Sequence, residues 1–318
     1  MNFSVLTRRL GHVVAVVLIL SIATFLMLEL LPGNLADALI GENARPADIA
    51  LIEAQLGLDK PLVERYFHWL GNALQGDLGA SPISGERVGE AIAHRLPVSI
   101  QLMLFAQVLA LLLALPLGVL AGYREGSTLD RALSSISFGV LAVPHFVLGI
   151  VLILIMAIGL RWFPATGYVP FGQDPLGSLR SMTLPALTLA LVEAPIYMRL
   201  LRSDIAATLK EEFIIVARAK GLPDWKILFR HALRPSSFTL ITVMGINIGH
   251  LIGGAVIIET LFALPGVGRL LIEAITKRDY LVLQGVVLFI GVSFVVVNLV
   301  VDALYAFLDP RISRNHGK

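Results

Sequence analysis

Residues 204–235 read DIAATLKEEFIIVARAKGLPDWKILFRHALRP and lie between two long apolar runs. At helical spacing Ile205, Leu209, Phe213 and Val216 form one apolar stripe. After a break, Trp225, Leu228, Phe229 and Ala232 form a second. The pattern predicts a helical hairpin. Its break is Gly221-Leu222-Pro223-Asp224. Glycine suits the left-handed residue that ends a helix, proline cannot continue one, and aspartate can cap the next by accepting an amide hydrogen bond. Arg218, Lys220, Lys226, Arg230 and Arg234 make the hairpin basic, and the last three recur every four residues along one face. Such a face meets lipid phosphates or the carboxylates of a partner. An amphipathic hairpin on anionic lipid needs nothing beyond apolar and basic faces, so the residues alone leave both readings open.

Working outward, composition rules out a soluble domain. Hydrophobic residues make up 56% of the chain and charged residues 15%, and the mean hydropathy is +0.81. Together these describe an all-α polytopic membrane protein. The net charge of +2 is too small to point to a partner, and no nucleic-acid partner is expected. With no cysteine, neither a disulfide framework nor thiolate chemistry is available.

Six apolar segments, near 10–31, 98–122, 135–158, 184–201, 238–258 and 283–307, are each about the 20 helical residues needed to cross a hydrocarbon core. An even number returns both termini to one side. With Arg8 and Arg9 inside, the inner segments hold 14 Lys and Arg against 10 on much longer outer segments. That density puts the termini and the hairpin in the cytoplasm. Arg8-Arg9 before an apolar run, with Ala36-Asp37-Ala38 beyond it, also resembles a signal peptide. The run is longer than a secretory core, so it reads as an uncleaved anchor. The expected organisation is residues 1–31 as N-terminus and first span, 32–97 as an outer loop region, and 98–318 as a core of five spans containing the hairpin.

The outer region offers two short amphipathic helices, one opening at Pro46 and one over LVERYFHWLGNAL, where Tyr66, Phe67 and Trp69 cluster. Such aromatics suit an interfacial cap at headgroup depth. Within the spans, ionisable or strongly polar side chains are costly and are therefore candidates for function. They are His145 after Pro144, Glu193 before Pro195, Asn247 and His250, and Asn298 with Asp302. Their structural alternative is interhelical hydrogen bonding, favoured for Asn298 and Asp302 and evenly matched for Glu193, Asn247 and His250. Prolines 116, 144, 185 and 195 and the run Gly245, Gly249, Gly253-Gly254 predict kinked helices in close contact.

The segment Glu212-Phe-Ile-Ile-Val-Ala217-Arg218-Ala219-Lys220-Gly221, followed by a basic helix and Leu233-Arg-Pro235, resembles the cytoplasmic signature loop of ABC-importer permeases. It is closest to the version carried by the dipeptide, oligopeptide and nickel permease family. Leu31-Pro-Gly33, Leu56-Gly-Leu-Asp-Lys-Pro61 and Gly76-Asp-Leu-Gly79 are similar to landmarks of that family's first subunit. Ile258-Glu-Thr260, Phe262-Ala-Leu-Pro-Gly-Val-Gly-Arg269 and Arg278-Asp-Tyr280 resemble its fifth-helix region, and Asp309-Pro-Arg311 closes the series. Two positions depart from the pattern: Ile215 stands where a glutamate is expected, and Asn34 replaces aspartate.

The resemblance implies a permease subunit working with a second homologous permease, two ATPases that carry ATP and Mg, and an extracytoplasmic solute-binding protein, in a bacterial inner membrane. It assigns ATPase coupling to Glu212, Ala217, Arg218, Ala219, Lys220 and Gly221. His145, Glu193, Asn247 and His250 stand as candidates for the translocation path. The sequence has no phosphate-cradling Gly-x-x-x-x-Gly-Lys-Ser/Thr loop, no Gly-x-Ser-x-Gly elbow and no His-Glu-x-x-His zinc helix. No catalytic residue, resident metal or cofactor is therefore expected in this chain. Implied cargoes are di- and oligopeptides, glutathione-like peptides, or nickel and metal chelates. The short loop 161–183 and Ile248-Gly-His-Leu-Ile-Gly-Gly254 lean toward the glutathione-like and nickel branches. A stand-alone carrier or channel is the alternative from another class. It would show inverted-repeat symmetry or a ring of filter carbonyls, and the sequence has neither.

Overall fold

The computed structural model describes residues 3–29 and 60–308. The motifs at Leu31-Pro-Gly33, Ala36–Ala38, Pro46 and Asp309-Pro-Arg311, and most of 56–61, lie outside the described residues. So does the side chain of Asp302. Within the described residues the chain is helical, its one β contact an isolated bridge between Ala80 and Arg87. The helices are α1 Phe3–Glu29, α2 Leu62–Leu74, α3 Val88–Tyr123, α4 Thr128–Leu141, α5 His145–Gly159, α6 Pro175–Thr208, α7 Glu212–Ala219, α8 Asp224–Leu261, α9 Val267–Lys277 and α10 Tyr280–Leu308.

Four of them, α3, α6, α8 and α10, are long and apolar enough to cross a bilayer. The expected third span, 135–158, is not one rod: α4 and α5 meet at a bend of 102°. The cause is Pro144, which lacks an amide to donate and pushes Val143 out of helical backbone. α4 therefore ends at Leu141, and α5 restarts after an extended Pro144 with φ −58° and ψ 143°. The apolar part of α1, Val13–Met27, is shorter than a full crossing. α3 begins at Val88, inside the region read as outer loop.

The described residues divide into two compact units, the first drawn from 1–97 and 266–299 and the second from 98–265 and 300–318. In the first, Val88, Ala91 and Ile92 of α3 pack with Val267, Leu270 and Ala274 of α9 and Val282 and Val286 of α10. α2 lies against α1. Phe25 meets Tyr66 edge-on at 5.5 Å and Trp69 at 5.7 Å between ring centroids, and Ser21 Oγ is 2.8 Å from the Tyr66 hydroxyl. The aromatic cluster read from the sequence forms, with Tyr66 and Trp69 turned to α1 and Phe67 exposed on its outer side, edge-on to Tyr66 at 5.3 Å.

The Arg278-Asp-Tyr280 motif has a structural reason. Asp279 is buried, accepts from the Val282 amide at the start of α10, and accepts the hydroxyl of buried Ser81 from the loop before α3. Removing that carboxylate strands two buried donors at roughly 1–3 kcal/mol each. Asp279→Ala is accordingly expected to lower the unfolding temperature in detergent, and Ser81→Ala added to it to cost less than Ser81→Ala alone, since only the Ile83 and Ser84 amide bonds that Ser81 Oγ also accepts are then newly lost. Additive losses from the two substitutions would show that the pair is not coupled.

The second unit is built on α6. Of its apolar window 67% is buried, against 28–39% for α3, α8 and α10. Leu184, Leu189, Leu201 and Ile205 are almost wholly enclosed. α3 approaches it unusually closely at the C-terminal end of α3. A Cβ added at Gly118 would stand 3.0 Å from the Met198 carbonyl oxygen, and one at Gly122 would stand 2.8 Å from that of Arg202. The two glycines are four apart, as close packing of membrane helices requires. A second close approach joins α8 to α10, where a Cβ at Gly245 would meet Val301 at 2.5 Å, as the glycine run predicted.

Candidate functional site

The hairpin forms, but its apolar stripes divide differently from the periodicity. α6 ends at Thr208 and a turn through Leu209–Glu211 precedes α7, so Ile205 and Phe213 do not share a helix. Ile205 is enclosed in the α6 core. In α7 the inward residues are Ile214 and Ala217, which pack on Ile227 with Leu209 and Leu222 alongside. Phe213, Ile215 and Val216 are left about half exposed, at 47%, 60% and 52%. The exposed apolar face is therefore the one opposite the core. Glu212, Arg218, Ala219 and Lys220 are exposed, while Ala217 seats the helix.

Gly221 takes the left-handed conformation anticipated for it, φ +73°. The turn closes with Gly221 N donating to the Arg218 carbonyl and Leu222 N to that of Ala217. Asp224 does not cap α8. Its carboxylate accepts the Tyr123 hydroxyl at 3.0 Å instead. α8 then winds as a π-helix over Ile227–Ala232 before returning to α geometry, which turns Trp225 and Phe229 outward and buries Ile227 and Ala232. The expected stripe of Trp225, Leu228, Phe229 and Ala232 is thus broken, with Leu228 packed inward.

Polar links tie the hairpin to its surroundings within this unit. Lys210 pairs with Glu125 at 2.7 Å, Thr208 Oγ1 is 3.2 Å from Ser236 Oγ, and Tyr123 reaches Asp224. Behind them, Asp130 on α4 accepts two bonds from the Arg202 guanidinium of α6 and one from the Gly126 amide. Its carboxylate is 3% exposed and Arg202 29%. None of Tyr123, Glu125, Asp130 or Arg202 was singled out from the sequence. Their partners are far along the chain, and no spacing rule reports such a pair.

In the middle of the second unit the polar candidates separate. Glu193 is buried, and Asn247 Nδ2 donates to its Oε2 at 2.6 Å, joining α6 to α8. One turn on, the buried Tyr197 hydroxyl lies 3.0 Å from Gln107 Nε2 and 3.2 Å from its Oε1, joining α6 to α3. Gln107 and Tyr197 complete this ladder; the sequence reading missed both, although Gln107, a strongly polar residue inside an apolar run, carried the signal that could have found it. His250 and His145 are exposed. His145 opens α5 after the bend, with its Cδ2 3.9 Å from where a Gly254 Cβ would be. Farther along α8, wholly buried Glu259 accepts the Ser99 hydroxyl at 2.6 Å. Asn298 bonds to the Phe294 carbonyl of its own helix. Among the described residues no three His, Asp or Glu side chains converge as a metal ion would need.

Residues 114–314 match the family described as the binding-protein-dependent transport system inner membrane component. Residues 1–103 match the N-terminal part of the same kind of membrane component. A Brucella melitensis protein named as a peptide transport system permease is 41% identical over 312 residues, covering 98% of this chain and 99% of that one. The glutathione transport system permease protein GsiC of Escherichia coli is 34% identical over 305 residues, covering 96% and 97%. Among solved structures, the MetNI methionine ABC transporter in inward-facing conformations matches with a TM-score of 0.57. That match has 15% identity and covers 69% of this chain and 96% of the other, a likeness of fold.

Proposed function

The chain belongs to the family of binding-protein-dependent transport inner membrane components, and from that premise we propose that it is a permease subunit of an ATP-driven importer of small peptides. Six crossings are proposed, with α1 and the bent α4–α5 pair each counted as one. Both termini and the α7–α8 hairpin lie in the cytoplasm, as the density of positive charge favours. The 32–97 region faces outward, where a solute-binding protein docks. A second permease and two ATPases complete the assembly.

The observation that carries this reading is the exposed apolar face of α7. A helix of eight residues holds Ile214 and Ala217 inward and leaves Phe213, Ile215 and Val216 uncovered, a contiguous exposed apolar face of the kind that marks an interaction site. The proposed partner is an ATPase subunit. Closure of the ATPases would displace α7, and the Gly221 turn would pass that displacement to α8 and to the central helices. In this scheme Glu212, Arg218, Ala219 and Lys220 are contact residues, Ala217 a seat and Gly221 the hinge.

Phe213→Asp and Ile215→Asp remove exposed side chains, so folding should be unaffected, whereas capture of the ATPase subunits should fall at least tenfold. Capture at the wild-type level would overturn the docking role. Gly221→Glu forces an L-residue into the left-handed region at about 1–2 kcal/mol and places a charge at the turn. Transport should be lost while ATP hydrolysis continues or the ATPases fail to assemble; normal uptake would count against the hinge.

Peptide cargo is supported by the names of the relatives at 41% and 34% identity. It is tested on the solute-binding protein encoded beside this chain, purified without added ligand and weighed by native mass spectrometry with elemental analysis. Masses of short peptides without metal are expected; stoichiometric nickel with a small chelator would overturn the assignment. Glu193 and Asn247, joined to each other, are proposed to hold α6 to α8 beside the path, leaving His250 and His145 as the side chains open to cargo.

A further inference from the structure

The first turns of α8 carry a feature that ATPase docking by α7 does not use. Trp225, Lys226, Phe229, Arg230 and Arg234 line an open groove of about 450 Å³. Among the described residues none of the three cations has a carboxylate within ion-pair distance. Trp225 and Phe229 are 66% and 58% exposed. In an ideal α-helix, positions four apart drift steadily round the axis. The π winding of Ile227–Ala232 takes more residues per turn, so Lys226, Arg230 and Arg234 stay closer to one line. The winding thus gathers three cations, unpaired among the described residues, and two aromatic rings on one side.

We propose that this groove binds the headgroups of anionic phospholipids in the inner leaflet, an inference that rests on the cytoplasmic placement given above. Three observations select lipid over a protein groove. The face is cationic, with no counter-charge among the described residues, matching a negatively charged leaflet. It alternates aromatic with basic side chains, as residues at headgroup depth do. And it continues along the same helix into exposed apolar residues. Phe238 and Ile241 follow Arg234 four and seven positions on and are 51% and 46% exposed. One face of α8 therefore passes from charged and aromatic to purely apolar within about 10 Å of Arg234, at 1.5 Å per residue, which is the profile of a bilayer boundary. The exposed apolar face of α7 is separate and carries none of these cations.

The test uses the full chain purified in detergent, delipidated and titrated with phosphatidylglycerol or phosphatidylcholine, with bound lipid counted by native mass spectrometry. Wild type should retain phosphatidylglycerol in preference. Each of Lys226→Gln, Arg230→Gln and Arg234→Gln should lower that preference roughly fivefold, with the unfolding temperature unchanged. In vesicles of phosphatidylglycerol brominated on its acyl chains, Trp225 should be quenched more than in brominated phosphatidylcholine, and Trp225→Phe should remove the difference. Equal retention of both lipids by wild type would overturn the proposal. So would a triple variant that keeps the preference, or one that loses ATPase capture while its lipid retention is unchanged. Lipid retention is read without any partner, so failure of the importer assignment would appear in ATPase capture alone.

Discussion

Gly122→Leu is expected to leave little or no folded permease in detergent extracts, while Gly139→Ala keeps the wild-type yield and an unfolding temperature at or slightly above that of wild type. The contrast follows from what each side chain would meet. At Gly122 even a Cβ would stand 2.8 Å from the Arg202 carbonyl oxygen and 2.9 Å from Ile205 Cβ. Neither is the end of a flexible side chain: one is backbone and the other branches at its root. α3 and α6 would have to separate, which would uncover Gly118 and the core around Leu201. Overpacking a close interface costs about 3 kcal/mol or above when the obstacle cannot turn aside, a large part of the 5–15 kcal/mol that holds a typical domain. Gly139 has nothing within 4 Å, and alanine in a helix gains about 0.5–1 kcal/mol over glycine. Equal yields for the two variants would mean that α3 and α6 are not in contact.

Asp130→Ala is expected to be the other severe substitution. The carboxylate is 3% exposed, takes two bonds from Arg202 and one from the Gly126 amide, and its removal leaves a cation and an amide without acceptors. Breaking a buried pair from one side costs about 3–5 kcal/mol. Because Arg202 is 29% exposed, part of its charge can reach water, which puts the loss near the lower figure. The double variant Asp130→Ala with Arg202→Leu should recover most of the stability, since an apolar replacement of a buried pair is often nearly neutral. Thermal unfolding of the two single variants and the double variant closes the cycle. A double variant no better than Asp130→Ala would show that the carboxylate acts through Gly126 and the start of α4 rather than through Arg202. If the pair holds α4 to α6 behind the hairpin, the recovered double variant should also regain ATPase capture.

These two sites and the hairpin differ in how far they could be read from the chain. The Gly221 turn was legible because one local requirement, a residue at positive φ before a proline, determines it. The apolar runs were legible because length and hydropathy decide what can cross a bilayer, and α3, α6, α8 and α10 lie where those runs predicted. Pro144 marked the third run for a kink, and only the size of the bend, 102°, was not legible, because a proline announces a break but not its angle. The hairpin stripe from Ile205 to Val216 failed because periodicity assumes one continuous helix, and the turn at Leu209–Glu211 resets the phase. The partners of Asp224, Asp130, Glu193 and Tyr197 were not legible, since each lies on another helix.

The sequence by itself determined that this is a helical membrane protein with a basic hairpin between two crossings. It also carried the motifs of an importer permease. Those properties depend on hydropathy, charge and local backbone preference, all of which are written residue by residue. The tertiary structure alone decided which face of α7 is left uncovered, and that α3 and α6 touch through Gly118 and Gly122. It also decided that Lys226, Arg230 and Arg234 gather beside two aromatic rings, with no counter-charge among the described residues. Each of these depends on which helices become neighbours and how they turn about their axes, a choice made by packing across the bundle that no local stretch of sequence expresses.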